Sequence, residues 1–210
     1  MPLVYQQNIN DVTKLGVWQI VEDETFFYHI GLNKPVIQHP GKRLQTLAGR
    51  NLLIQLFPDF PLNEVKIAPT RKPFLPNAPF HFSISHCGLY AAAIVSRKMQ
   101  VGVDIEIPQQ KIIALKHKFV TPDEQLILKE NSWPEIASLT AAWSMKEAVF
   151  KWYGAGGVDF KTQIRIKRFS AVGNSFNANI LFSNLEQRAL TLHGILFNGA
   201  CLSWVLSSPN

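Results

Sequence analysis

The order of helix and strand signals along the chain predicts an α+β fold made of two halves. In each half a strand signal is followed by helical segments and then by further strands. The clearest helical pattern is the recurrence of apolar residues three and four apart within 40–57, and the clearest hairpin signal is Asn198-Gly199 between two apolar runs. We find no convincing sequence repeat, and we place the boundary near residue 100, which gives halves 1–100 and 101–210.

The first half is expected to hold a long helix and a polar corner between two strands. Four prolines between residues 68 and 79 indicate an extended loop, which carries Lys72. Ser85 and His86 belong to a polar stretch ending at Gly88, and we expect this stretch to be the corner and a candidate site position. Strands are expected at 14–20, 80–84 and 90–96, and helices at 22–30 and 40–57.

The second half is expected to open with one strand, continue with three helices and end in four strands. Thr121 precedes Pro122, and Glu124 follows the cap by three residues, which is the pattern of a capping box at a helix start. The glycine-rich stretch 154–157 is expected to end the third helix. The helices are expected at 110–119, 122–130 and 134–153, and the strands at 101–107, 163–169, 175–182, 188–197 and 200–206.

The composition indicates a globular protein with an anionic partner. With 210 residues, 47% of them hydrophobic, the chain can bury one large or two small cores. We expect it in the cytoplasm, because no segment has the pattern of a membrane span or a secretory signal. Cys87 and Cys201 are far apart and predict neither a disulfide framework nor a zinc site. The formal charge of +6 suits a phosphorylated ligand or an acidic protein, and no nucleic-acid-binding module is recognisable.

Asp104 and Glu106 carry the sharpest chemical signal. They lie two residues apart in a run rich in valine and isoleucine, so on a strand both side chains project from one face. Carboxylates in such a run are costly unless they are paired or bind a metal, and a hard divalent cation prefers oxygen ligands. The alternative is the solvated face of an edge strand.

Glu147 and Lys151 lie four residues apart in a helical pattern and therefore share a face of the helix. If that helix docks over the strand, three carboxylates and one ammonium converge, as a metal-assisted phosphoryl transferase would need. Taken alone, the pair can equally be a stabilising device on an exposed helix. Lys146 can likewise be only a solvated neighbour, and Trp143 is expected to pack in a core without a chemical role.

Ser85 and His86 are the next candidates. They could be a nucleophile and its base, but no Gly-x-Ser-x-Gly elbow surrounds Ser85 and no partner acid is identifiable, which disfavours a serine hydrolase. Hydroxyl and imidazole groups are also good donors to phosphate. The alternative is a polar corner that satisfies only its own turn.

Together these stretches resemble the 4'-phosphopantetheinyl transferases of the surfactin-synthetase (Sfp-like) type. Residues 82–86 (FSISH) are similar to the family's F-N-I-S-H element, 102–106 (GVDIE) to its G-[IV]-D-[IV]-E element, and 143–151 to its W-x-x-K-E-x-x-x-K element. Residues 119–124 resemble its F-[FS]-x-x-E segment, and Lys72-Pro73 resembles the K-P that precedes the F-N-I-S-H strand.

The resemblance implies a pseudo-dimer of two related α/β halves with the active site in the cleft between them. It implies transfer of phosphopantetheine from coenzyme A to a serine of an apo acyl or peptidyl carrier protein, with release of adenosine 3',5'-bisphosphate. By the same resemblance, Mg²⁺ would be held by Asp104, Glu106 and Glu147. Glu147, or a water held by the metal, would act as general base, and Lys151 would pair with phosphate oxygens.

The remaining site assignments also rest on the resemblance. Lys72, Ser85 and His86 would hold the phosphates of coenzyme A, and Arg43 and Arg50 would contact its adenosine-phosphate end. Two departures from the family pattern, at Ser83 and Cys87, remove no obligatory ligand. The expected partners are an acidic carrier protein and coenzyme A, with neither nucleic acid nor membrane, and a monomer is expected.

Two other functions are open at this point. A non-catalytic module on the same fold would bind coenzyme A or a carrier protein without transferring a group, but clustered carboxylates beside a polyanion would serve a pure binder poorly. A metal-dependent nuclease built on Asp104, Glu106 and Glu147 has no support in the sequence beyond the acids and the net charge.

Overall fold

The computed structural model describes residues 2–77 and 79–209 of the chain. It divides into two compact units, of which the first extends to Val101 and includes the last residues from Ser208, and the second is Gly102–Ser207. Both contain helices and antiparallel sheet, so the predicted α+β class is confirmed. No helix among the described residues is long and apolar enough to cross a membrane.

The first unit is a four-stranded antiparallel sheet with two helices. The sheet has the order β1-β2-β6-β5, and β3 pairs with β4 in a separate hairpin. Its elements are β1 (Leu3–Asn10), β2 (Thr13–Gln19), α1 (Glu24–His29), α2 (Pro40–Leu56), β3 (Lys66–Ile67), β4 (Pro73–Phe74), β5 (His81–Cys87) and β6 (Tyr90–Ser96).

The helix α2 carries the apolar stripe that the sequence predicts and packs it on the sheet. Leu47, Leu52 and Leu53 are buried in the core of this unit. At Gly49 an added Cβ would lie 2.7 Å from Cγ2 of Ile84, so the helix approaches β5 closely at this point. The position of α2 along the sheet is therefore set by a close contact as well as by burial.

Three features of the first unit differ from the sequence predictions. Strand β1 was not expected, because its sequence LVYQQNIN is rich in glutamine and asparagine, and it is tolerated as an edge strand with one partner. The polar stretch at Ser85 is not a corner: β5 continues through Cys87, and the turn begins at Gly88, where φ is 57°. Strand β4 lies within the predicted extended loop and pairs with β3, which ends directly before that loop.

The second unit is a five-stranded sheet with the order β7-β11-β10-β9-β8 and three helices. Its elements are β7 (Gln100–Glu106, of which Gln100 and Val101 are counted with the first unit), α3 (Lys111–Leu115), α4 (Pro122–Lys129), α5 (Glu135–Tyr153), β8 (Ile164–Val172), β9 (Ser175–Ser183), β10 (Gln187–Phe197) and β11 (Ala200–Ser207). A 3₁₀ turn over Lys116–Lys118 follows α3, which is shorter than predicted.

The predicted hairpin turn, helix end and helix start of the second half are confirmed. Asn198 and Gly199 both have positive φ, 47° and 74°, and join β10 to β11 in a tight hairpin. Gly154, with φ of 74°, ends α5 in the left-handed conformation. Thr121 and Glu124 form both hydrogen bonds of the capping box at the start of α4. These short signals therefore predict where the elements of this unit begin and end.

Candidate active site

The site in the second unit is formed where α5 lies against β7. Gly102, Asp104 and Glu106 alternate along β7 and so project from one face of the strand. At Gly102 an added Cβ would lie 2.1 Å from the carbonyl oxygen of Ala148 and 2.7 Å from the backbone nitrogen of Trp152. The backbone of α5 therefore rests directly on β7, and this contact brings the helix to the two acidic side chains.

We expect Gly102→Ala to push α5 away from β7, because the colliding atoms belong to helix backbone and cannot rotate aside. The cost should be about 1–3 kcal/mol of the free energy of unfolding, as for other overpacked sites. Denaturant titration measures it. The control is Gly173→Ala, at a turn where a Cβ would meet nothing within 4 Å but φ is 58°, which reports the cost of backbone strain alone. An equal loss in both variants would contradict a steric role for Gly102.

Lys151 and Asp104 form the central ion pair of the site. The ammonium Nζ of Lys151 lies 2.6 Å from Oδ1 of Asp104, whose side chain is 3% exposed against 26% for the lysine. The hydroxyl of Ser144 also donates to the backbone carbonyl of Asp104, at 3.4 Å. The strand and the helix are thus joined by side chains at the position where the sequence predicts that acidic and basic groups converge.

Glu147 is half-buried near this pair. Burial is the largest cause that raises the pKa of Glu147, to about 7, and the charges of Asp104 and Glu106 raise it further, while Lys151 opposes the shift. The carboxylates therefore lie close enough to repel each other. Carboxylate oxygens are the donor chemistry that suits a hard divalent cation.

Trp143 has a polar contact that the sequence interpretation missed. Its indole Nε1 donates to Oε1 of Glu106 at 3.2 Å. The ring is held by Phe119 and Phe160, whose centroids lie 5.2 and 5.3 Å from its own. Trp143 is therefore not only a packing residue but also holds the orientation of Glu106. The signal available in the sequence was its position on the helix, one turn before Glu147.

The helical pattern allowed Lys146 to be a solvated neighbour of Glu147, but the structure shows its side chain completely buried. Its Nζ donates to Oε1 of Glu124 at 2.7 Å and to the backbone carbonyls of Phe119 and Phe160 at 2.6 and 2.9 Å. Burial lowers the pKa of Lys146, and the charge of Glu124 opposes that shift. The ammonium thus has three acceptors and joins α5 to the chain on either side of it.

Glu124 has a larger role than helix capping. Oε2 accepts from the backbone N–H of Thr121 at 2.7 Å, as the capping box requires, and Oε1 accepts from the backbone N–H of Ile166 on β8 at 2.7 Å as well as from Lys146. One buried carboxylate therefore connects α4, α5 and β8. This network lies beside the acidic site but is distinct from it.

The residues of the acidic site match a divalent cation in chemistry but are not arranged as a finished metal site. Among residues 2–77 and 79–209, no group of three or more histidine, cysteine, aspartate or glutamate side chains is placed so that it could hold a metal ion together. Asp104 is paired with the ammonium of Lys151. The ligand set of Asp104, Glu106 and Glu147 therefore stays a prediction.

The first unit contains the other predicted site residues. Lys72 lines a cavity of about 190 Å³ whose walls are mostly apolar. His81, a residue that the sequence interpretation did not single out, lines the same cavity. Burial lowers the pKa of Lys72, and burial together with the charge of Lys72 lowers that of His81. The only signal for His81 was its place directly before Phe82 of the FSISH element.

The predicted phosphate-binding residues on β5 and α2 differ in exposure. On β5 Ser85 is buried, whereas His86 is exposed. Arg43 and Arg50 lie two turns apart on α2 and are both half-buried. All four, like Lys72, belong to the first unit, while the acidic residues belong to the second.

Comparison with known proteins agrees with the motifs. Residues 100–202 match the family model described as "4'-phosphopantetheinyl transferase superfamily". Enterobactin synthase component D of Salmonella typhi is 36% identical over 113 residues, which are 52% of this chain and 47% of that protein. The same-named protein of Escherichia coli O157:H7 is 37% identical over 120 residues, 55% of this chain and 57% of that protein.

A further relative is named as a 4'-phosphopantetheinyl transferase. The 4'-phosphopantetheinyl transferase AcpT of Salmonella typhimurium is 32% identical over 117 residues, which cover 54% of this chain and 60% of AcpT. The chain spans about half the length of the curated relatives it matches. The matched family region contains the whole of β7 and α5, and therefore Asp104, Glu106, Glu147 and Lys151.

Proposed function

Residues 100–202 of this chain belong to the 4'-phosphopantetheinyl transferase superfamily, and on that premise we propose that the protein is an Mg²⁺-dependent phosphopantetheinyl transferase. Its substrates would be coenzyme A and a serine of an apo acyl or peptidyl carrier protein. The observation that supports this most is the contact of α5 with β7, which sets Lys151 against Asp104. The charges of Asp104 and Glu106 also raise the pKa of Glu147 on the same helix.

In the proposed reaction the serine Oγ of the carrier forms a bond to the β-phosphorus of coenzyme A. The bond from that phosphorus to the oxygen of the adenosine-side phosphate breaks, and adenosine 3',5'-bisphosphate leaves. The serine proton passes to Glu147, which lies within the acidic site. Phosphoryl transfer requires mainly positioning and charge stabilisation from the protein, and these are the tasks that the residues of the site suit.

Asp104, Glu106 and Glu147 would hold the Mg²⁺ ion. When bound, the ion neutralises charge on the phosphate oxygens. Lys151 has the charge and the partial exposure needed to bind a phosphate oxygen while it keeps its contact with Asp104. Trp143 restrains Glu106, so that one of the three carboxylates is oriented before any ligand arrives.

In the first unit Lys72, Ser85, His86 and an arginine of α2 would bind the phosphates of coenzyme A. An ammonium in a mostly apolar cavity, as at Lys72, gains more from a phosphate than an exposed one does, because the surroundings screen the charge less. We also propose that the carrier protein is acidic, because the formal charge of this chain is +6. Cytoplasmic location and a monomeric state complete the proposal.

The experiment that tests the function is a transfer assay read by mass spectrometry. The purified protein is incubated with coenzyme A, Mg²⁺ and a panel of apo carrier proteins, and each carrier should gain the mass of one phosphopantetheine when it is a substrate. The control reaction contains EDTA and should show no gain. Tight binding of coenzyme A that ignores Mg²⁺, without transfer to any carrier, would instead identify a non-catalytic binding module.

Trp143→Phe should weaken the metal requirement of this reaction without unfolding the protein, because it removes the indole N–H that restrains Glu106 but keeps an aromatic ring. Loss of such a supporting hydrogen bond typically costs about 10–100-fold in metal affinity or activity. We expect the Mg²⁺ concentration for half-maximal rate to rise within that range, and direct Mn²⁺ binding by electron paramagnetic resonance to weaken in parallel.

The matched control is Trp152→Phe, which removes an indole N–H of the same helix that donates to Ser207 at 3.0 Å. This variant should keep the wild-type Mg²⁺ requirement even if it is less stable. Equal metal requirements in the two variants would show that the contact of Trp143 with Glu106 does not serve the metal ligand.

A further inference from the structure

Arg43 on α2 is already bound by a carboxylate of its own chain. Its Nε lies 2.7 and 2.8 Å from the two carboxylate oxygens of Glu24 on α1, and its Nη2 lies 2.7 Å from Oε1. The side chains are only 16% and 22% exposed. A guanidinium bound along one edge to both oxygens of a carboxylate is among the strongest hydrogen-bonded ion pairs in proteins.

The remaining nitrogen of the guanidinium, Nη1, is also hydrogen-bonded. Nη1 donates to the backbone carbonyls of Ile37 and Gln38, at 2.8 and 3.3 Å. The carboxylate of Glu24 is in turn fixed by the hydroxyl of Tyr28, which donates to Oε2 at 2.6 Å. A phosphate bound side-on needs the edge formed by Nε and Nη2, and Glu24 fills that edge.

Arg50 differs from Arg43 although it lies on the same helix. None of the hydrogen bonds and ion pairs found among the described residues involves its guanidinium. It follows Gly49, at which α2 approaches Ile84 of β5 closely. The two arginines that the sequence treats as equivalent candidates therefore have different surroundings in the fold.

We infer that Arg43 is a positioning residue and not a ligand of coenzyme A: with Glu24 it ties α1 and the Ile37–Gln38 segment to α2, and Arg50 is left as the phosphate-binding arginine of that helix. The inference rests on the proposed function insofar as coenzyme A is the ligand. It replaces the expectation that Arg43 contacts the adenosine-phosphate end.

Glu24→Gln separates this role from direct ligand binding. If Arg43 positions α2 through Glu24, then Glu24→Gln and Arg43→Met should each lower the thermal midpoint by a few degrees. Both should also weaken coenzyme A binding by the same several-fold factor. The double variant should lose no more stability and no more affinity than either single variant. Arg50→Met should weaken coenzyme A binding at least about tenfold, the scale of a lost hydrogen bond to a charged group, without changing the midpoint. Differential scanning calorimetry and isothermal titration with coenzyme A measure the two quantities on the full chain.

The inference is overturned if Glu24→Gln tightens coenzyme A binding, because the carboxylate would then be competing with the ligand for Arg43. It is also overturned if Arg43→Met weakens binding at an unchanged midpoint, or if the stability losses of the two single variants simply add. Failure of the proposed function would look different, because the wild-type protein would then bind no coenzyme A. The stability measurements need no ligand, so they would still decide whether Glu24 and Arg43 act together.

Discussion

Asp104→Asn is expected to reduce phosphopantetheine transfer by roughly a thousandfold or more. Stabilisation by a metal ion is worth several kcal/mol of the activation barrier, and each 1.36 kcal/mol is a factor of ten in rate. The amide keeps the size of the side chain but removes the charge that both a divalent cation and the Lys151 ammonium would use. The rate is measured with a carrier protein that the wild-type enzyme modifies.

The matched control is Asp123→Asn, which neutralises an aspartate of the same unit whose side chain is 81% exposed. This variant should transfer at the wild-type rate. Both variants are compared by thermal unfolding, so that a loss of activity is not a loss of fold. An Asp104→Asn protein that is folded and keeps more than about a tenth of the wild-type kcat/KM would refute the assignment of Asp104 to the metal, since the expected loss is far larger.

Lys146→Met is expected to lower the free energy of unfolding by about 3–5 kcal/mol, the usual cost of leaving one member of a buried ion pair without its partner. Lys146 is completely buried, and the side chain of Glu124 is 2% exposed. The substitution also removes the donor from the carbonyls of Phe119 and Phe160. Urea denaturation monitored by tryptophan fluorescence measures the loss.

The control for this prediction is Lys116→Met, which breaks the ion pair with Glu135, where the two side chains are 31% and 49% exposed. A surface pair of this kind contributes about 0–1 kcal/mol, so this variant should be nearly as stable as the wild type. Lys146→Met combined with Glu124→Gln should be more stable than Lys146→Met alone, because no unpaired buried charge remains. Similar losses for the buried and the surface lysine would contradict the structural role of the Lys146 network.

Lys151 and Lys146 of α5 show how much of the site can be predicted from the sequence. The four-residue spacing of Glu147 and Lys151 predicts a shared helix face, and the two-residue spacing of Asp104 and Glu106 predicts a shared strand face; both are as expected. Lys146 occupies the same helix and has the same chemistry, yet it is turned into a buried network. Periodicity places a residue on a face of its own element but does not tell which element covers that face.

Gly102 shows that the sequence also does not tell which element a backbone position contacts. In the sequence it is one glycine of the GVDIE stretch, where a bulge, a close approach or simple tolerance would all be possible. In the structure it is the point where β7 and α5, which are separated by the 28 residues 107–134, touch. Trp143 and Arg43 are similar cases, since their partners Glu106 and Glu24 are distant in sequence.

The sequence by itself determined the α+β class, the bounds of most helices and strands, and which acidic and basic residues share a face of one strand or one helix. Such features depend on interactions within a few residues: side-chain alternation, helical spacing, capping and turn conformations. Only the tertiary structure decided which lysine pairs with Asp104, which is buried with Glu124, and which arginine of α2 is already bound. These choices depend on which surfaces pack against each other, and burial then makes each charged group take the partner that packing brings within hydrogen-bonding distance.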